Sequence, residues 1–142
     1  MRTVSWILLT IVGALMLFGS LASATLAYRG GEDVIVPIDP PATIDSLAEG
    51  RAEVATALRA RRATAASFAV ALTTLFLFVV LVPYRRGDVW SWWAILVTFA
   101  VLGGLVLLRI PILDTTAGVP AGGIPLAAVV VALLLDVKRL SS

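Results

Sequence analysis

Four long apolar runs, three of them separated only by short polar breaks, set the pattern of this chain. The first, residues 4–27, reads VSWILLTIVGALMLFGSLASATLA; Arg2 precedes it and Tyr28-Arg29-Gly30-Gly31 stops it. At about 24 residues of about 1.5 Å each, it crosses a ~30 Å hydrocarbon core with room for tilt. Arg2, the apolar core and Ala22-Ser23-Ala24 also have the outline of a secretory leader with its cleavage site. The apolar stretch outruns a leader's core, so a retained anchor is expected. The second run, residues 63–82, has Thr73-Thr74 near its middle and stops at Pro83. The hydroxyls there can bond back to the preceding turn's carbonyls. A short connection, Tyr84-Arg85-Arg86-Gly87-Asp88-Val89, leads to the third run, residues 90–108. Its brevity predicts that spans two and three form an antiparallel hairpin. After the turn at residues 109–118 comes the weakest run, residues 119–135, with Pro120, Gly122, Gly123 and Pro125 in its first part. That part is expected to be irregular. Asp136, Lys138 and Arg139 close the run, and Leu140-Ser141-Ser142 forms a tail.

The long polar break covers residues 28–62. Val34-Ile35-Val36-Pro37-Ile38 is β-branched and interrupted by proline, so it reads as extended chain, ended by Pro40-Pro41. From Thr43 the period becomes helical: Ile44, Leu47, Val54, Ala55 and Leu58 share one face, with Asp45, Glu49 and Glu53 beside it. Ser46-x-x-Glu49 fits a capping box, and Thr43 is an equally good cap. Acids lie in the first half and Arg59, Arg61 and Arg62 in the last turn, as the helix dipole favours. This order predicts an amphipathic helix that ends or bends near Arg62. Gly50 weakens it by up to ~1 kcal/mol.

Composition turns these runs into a class. Of 142 residues, 60% are apolar and 14% charged, and the mean hydropathy is +1.02. A water-soluble domain of this size has too little interior to hide so much apolar surface. The chain is therefore expected to be an all-α membrane protein: a single membrane domain over residues 1–142, an antiparallel bundle of four transmembrane helices with an amphipathic helix in the first outer loop. There is no cysteine and no histidine. Disulfides, thiol chemistry, imidazole relays and zinc sites built on those residues are thereby excluded. The net charge is +2, but the cations sit in small groups at the ends of apolar runs, where anionic headgroups hold them. A nucleic-acid partner is not expected; the bilayer is, and another membrane protein is a candidate.

Orientation follows from the density of cations. With the N-terminus inside, Arg2, Arg85, Arg86, Lys138 and Arg139 crowd into short inner segments, while the outer cations spread over the long loop and Arg109. Both termini are accordingly expected in the cytoplasm, with the protein multi-pass in the cell membrane. Trp6, Tyr84, Trp90, Trp92 and Trp93 all fall at one membrane face, and Tyr28 at the other.

The strongest local feature is Tyr84-Arg85-Arg86-Gly87-Asp88-Val89-Trp90-Ser91-Trp92-Trp93. Two guanidiniums beside three indoles suit lipid phosphates, with the indoles at headgroup depth; an arginine can also lie over an indole face. Arg85, Arg86, Trp90, Trp92 and Trp93 are the candidate membrane-interface residues. The plainer reading is an ordinary turn with its anchoring belt. The string Arg-Arg-Gly-acid-x-Trp-x-Trp, after a second span and an acidic-then-basic loop helix, resembles a group of small bacterial four-helix membrane proteins that carry R-R-G-E-R-W-A-W. Here Asp88 stands for the Glu and Val89 for the following Arg. The resemblance covers residues 43–95; it implies the four-helix fold and no activity.

Catalysis and ion coupling find little support. None of the four apolar runs holds a charged residue, so the embedded carboxylate of a proton- or cation-coupled carrier is missing. Asp114, Asp136 and Arg109 lie at span ends, where water solvates them. Asp33, Asp39, Asp45, Glu49 and Glu53 include no calcium-loop spacing, and 45, 49 and 53 fall along one solvated stripe. No cofactor, metal or catalytic residue is expected. Gly19-x-x-x-Ser23, Ala65-x-x-x-Ala69, Ala100-x-x-x-Gly104 and Ala128-x-x-x-Ala132, with the Gly103-Gly104 and Gly122-Gly123 pairs, read as small-residue faces for close helix packing. The favoured function is a non-enzymatic accessory or structural subunit; the alternative is a binder or carrier of an apolar or lipid-like ligand within the bundle.

Overall fold

A computed structural model of the chain describes residues 2–29, 35–36, 40–113 and 119–137. The expected loop residues Glu32, Asp33 and Asp39, the turn residue Asp114, and Lys138, Arg139 and the tail lie outside them. The elements run α1 (Arg2–Arg29), β1 (Ile35–Val36), β2 (Ala42–Thr43), α2 (Ile44–Ala48), α3 (Ala52–Val79), a π-helical turn (Val80–Tyr84), α4 (Val89–Leu107), α5 (Arg109–Leu113) and α6 (Val119–Leu135). Among the described residues the protein is all-α apart from the two-residue strands, and three helices are long and apolar enough to cross a membrane: Val4–Arg29, Ala52–Tyr84 and Val89–Ile112. The apolar stretch Gly123–Leu135 is shorter. This is the make-up of a membrane protein, with Leu15, Phe18, Phe68, Phe78, Leu105 and Ile124 among many apolar side chains left exposed. In water such a surface would be untenable; against lipid tails it costs nothing.

The residues divide into two compact units, 1–16 with 73–142, and 17–72. In the first, Leu9 and Val12 of α1, Phe76 at the end of α3, Val80 and Tyr84 of the π turn, Trp92, Ile95 and Phe99 of α4, and Val129, Ala132 and Leu133 of α6 form one buried cluster. Phe76 and Phe99 meet edge to face at 5.1 Å between ring centroids. Close approach is set by glycine at two places. A Cβ on Gly13 would fall 2.7 Å from Leu77 Cδ2 and 3.0 Å from Phe76 Cδ1, and one on Gly103 would fall 2.7 Å from Leu126 Cδ2. The small-residue faces are thus only partly packed: Gly103 and Ala132 are buried, while Gly19 and Gly104 have nothing within 4 Å of that position. Ala100 and Ala65 are exposed. An i, i+4 spacing of small residues marks where close packing is permitted, and lipid tails fill such a face as readily as a helix does.

The second unit corrects the expected loop helix. Ile35 pairs with Thr43 and Val36 with Ala42 in an antiparallel two-stranded ladder, in keeping with the β-branched run. Thr43 caps α2: its hydroxyl accepts from Ser46 N at 3.1 Å, and Thr43 N donates to Ser46 Oγ at 3.0 Å. Glu49, expected as a capping partner of Ser46, instead ends α2 in the left-handed region with φ 50°, followed by Gly50 at φ 76°. The chain turns there, so Asp45 lies on α2, Glu49 just past its end and Glu53 on α3 rather than on one stripe. Ile44, Ala48 and Ala55 close the elbow with Val54 beside them; Leu47 and Leu58, expected on the same covered face, stay exposed.

The helix does not end at Arg62. Helix α3 contains neither glycine nor proline and is rich in alanine, so nothing stops it. It passes from Ala52 through Arg62 into the second apolar run as one element. With the π turn it is 33 residues long, about 50 Å at ~1.5 Å per residue, well beyond a ~30 Å hydrocarbon core. The excess is its charged first part, which is continuous with the span instead of being a separate surface helix.

Candidate membrane-interface site

Pro83 was expected to stop the second span. The helix instead widens into the π turn Val80–Tyr84 with Pro83 inside it. A proline lacks the N–H of an α-helical bond and crowds the preceding turn; a wider turn is one way a helix accommodates that. The helix ends a turn later, where Gly87 N donates to Pro83 O and Tyr84 O, both at 3.1 Å, Asp88 N donates to Pro83 O at 3.1 Å, and Gly87 takes φ 105°. Only glycine adopts that conformation without strain. Asp88 then precedes α4, and Ser91 Oγ donates to Asp88 O at 2.6 Å.

The π turn sets the direction of Tyr84. Its side chain is fully buried (0% exposed), and its hydroxyl lies 2.7 Å from Ser5 Oγ of α1. Ser5 Oγ donates in turn to Ala132 O of α6 at 2.8 Å, so Tyr84 is the donor to Ser5. Three segments far apart in sequence meet at this buried polar knot. A hydroxyl in an apolar interior has to be satisfied by protein, and here each bond is neutral.

The three indoles of the turn separate into two roles. Trp90 and Trp93 are 58% and 51% exposed, as membrane-border residues should be. Trp92 is 6% exposed; its Nε1 donates to Leu133 O at 3.1 Å, satisfying a carbonyl in the last turn of α6, and its ring meets Trp93 edge to face at 5.1 Å. Trp92 is therefore withdrawn from the expected interface set. Helical spacing is the reason: positions 92, 95, 99 and 103 share the buried face of α4, and 90 and 93 do not. Arg85 and Arg86 are exposed. The Arg85 guanidinium lies over the Trp6 ring, 5.0 Å from its centroid, which brings α1 into the site. Trp6 and Ser5 were absent from the expected residues. Trp6 could be read as sharing a membrane border with the turn; its contact with Arg85 could not.

Farther along the same two helices, residues of α4 and α6 bound an open apolar groove of about 250 Å³, with Phe99, Gly103, Gly104, Leu126, Val129 and Leu133 among its walls. Among the described residues, no three carboxylates gather closely enough to hold a metal ion. Known proteins supply no parallel: no family model, no curated protein and no solved structure matches the chain.

Proposed function

We propose that this chain is a multi-pass membrane protein that works by packing, as a non-enzymatic accessory or structural subunit. In this reading, α1, the apolar part of α3, α4 and α6 form an antiparallel four-helix transmembrane bundle with both termini in the cytoplasm, as in the bacterial group that the Arg-Arg-Gly-Asp turn resembles. The observation that carries it is how polar groups are used within the apolar segments. Thr10 Oγ1 donates to Trp6 O, Ser20 Oγ to Leu17 O, Thr25 Oγ1 to Ala22 O and Ser67 Oγ to Ala63 O, each in its own helix. Ser5, Tyr84 and Trp92 satisfy each other or a backbone carbonyl of α6. The first four are satisfied within their own helices, the last three hold segments together, and no ionisable residue stands in the four apolar runs to move a proton or an ion.

Fusion of a topology reporter tests the arrangement. Reporters after Gly87 and after Ser142 should read cytoplasmic and one at Gly50 external; a cytoplasmic signal at Gly50 would overturn it. Purification in mild detergent tests the role, with a stoichiometric membrane partner as the expected result. The apolar groove between α4 and α6 favours a second reading, a binder of an apolar or lipid-like ligand. Recovery of the protein without a partner and with an apolar molecule, lost on Gly104→Leu, would select it instead.

A further inference from the structure

We propose that the outward edge of the Arg85 guanidinium, held on Trp6, is a binding site for a phosphate oxyanion, the chemistry offered by an anionic phospholipid headgroup or by free phosphate. A guanidinium placed over an indole engages the ring with its face. Its N–H donors lie in its own plane and remain directed outward, in the fork that matches two oxygens of a phosphate. The Arg85 guanidinium carbon lies over the Trp6 ring, 5.0 Å from its centroid, and the contact restricts a side chain that would otherwise lose rotamer freedom on binding.

The charge is also unspent. Arg85 is exposed, and no described carboxylate pairs with it. Asp88, also exposed, is the nearest acid in sequence, and Arg86 sets a second cation against it on the same turn. Contrast Arg59, whose Nη2 is taken by Asp45 at 2.7 Å. Finally, Trp90 and Trp93 stand exposed in the first two turns of α4, and exposed indoles mark the depth at which headgroup phosphates lie. The site lies wholly on α1, the turn and α4, and does not depend on whether the protein has a subunit partner.

Native mass spectrometry of the full chain in detergent, offered phosphatidylglycerol or phosphatidylcholine in parallel, tests this directly. The anionic lipid should be retained about tenfold over the zwitterionic one, the ratio expected for one charge-assisted contact. Arg85→Gln should abolish that preference, and Arg85→Lys should keep only part of it, since an ammonium has no planar fork. Inorganic phosphate identifies the source: displacement of the lipid at millimolar phosphate assigns the site to a soluble phosphate, and resistance to it assigns the site to the headgroup. Equal retention of both lipids by the wild type, or an Arg85→Gln protein that melts normally and keeps the preference, overturns the proposal. Should Arg85→Gln fail to fold, undiminished preference in Arg85→Lys overturns it equally.

Discussion

The first and second halves of α1 are made of the same residue types and meet different fates. In the first, Ser5, Leu9, Val12 and Gly13 are buried, and Ser5 reaches across to Tyr84 and Ala132. In the second, Phe18, Gly19, Leu21 and Leu26 are exposed, and Ser20 and Thr25 bond back to carbonyls three residues earlier in their own helix. Hydropathy does not distinguish them. What differs is whether other elements arrive to cover the helix: the first half belongs to the unit that contains α4 and α6, the second to the unit with the elbow. The lesson is that an apolar run specifies a membrane helix, while its partners decide which of its small and polar residues become structural.

The sharpest way to break this contrast is to add volume at its two glycines. Gly13→Val should lower stability by about 2–3 kcal/mol, because Leu77 and Phe76 already occupy the space. Gly19→Val, meeting nothing within 4 Å, should stay within about 0.5 kcal/mol. Thermal melting in one detergent compares them, and equal losses would remove the distinction between the halves. Next in size is the indole pair of α4. Trp92→Phe gives up the bond to Leu133 O and leaves a small void, costing about 2 kcal/mol, whereas Trp93→Phe should be close to neutral in the same melt. A third contrast concerns hydroxyls. Ser5→Ala should cost about 1 kcal/mol and Ser20→Ala about nothing, since only the former loses bonds between helices; similar melting of the two would deny Ser5 its role in the knot.

The smallest effect belongs to the elbow. Arg59 Nη2 contacts Asp45 Oδ1 at 2.7 Å and Oδ2 at 2.9 Å, but the two side chains are 28% and 40% exposed. Water and salt screen such a pair, so Asp45→Asn should cost about 0.5 kcal/mol at low salt and less at high salt. Proteolysis of the elbow at two salt concentrations reads this out. A loss that salt does not change would mean that Arg59 acts by packing its stem and not by its charge.

Much of this was legible beforehand because it depends on local chain chemistry. The borders of the apolar runs follow hydropathy and match α1, α4 and α6 to within a few residues. The extended stretch around Ile35 and the cap at Thr43 follow from β-branching and from a hydroxyl before a helical period. The readings that failed required neighbours or competition between signals. An acidic-to-basic charge order suggested a stop at Arg62, yet alanine-rich sequence without glycine or proline carried the helix on. Proline suggested a stop at residue 83, yet a π turn accommodated it. The tryptophans of the turn looked alike, although the period of α4 already placed Trp92 with Ile95 and Phe99.

The sequence by itself determined that this is a membrane protein, where its apolar helical runs lie, and that cysteine and histidine chemistry is absent, since these depend on composition and on runs of neighbouring residues. Only the tertiary structure decided that Tyr84, Ser5 and Ala132 share a buried bond network, that Trp92 turns inward to Leu133 and that Arg85 rests on Trp6. Those contacts join residues up to 127 positions apart. In an apolar setting where any helix face can rest against lipid, hydropathy has no preference among them; steric fit and the need to satisfy buried donors make the choice.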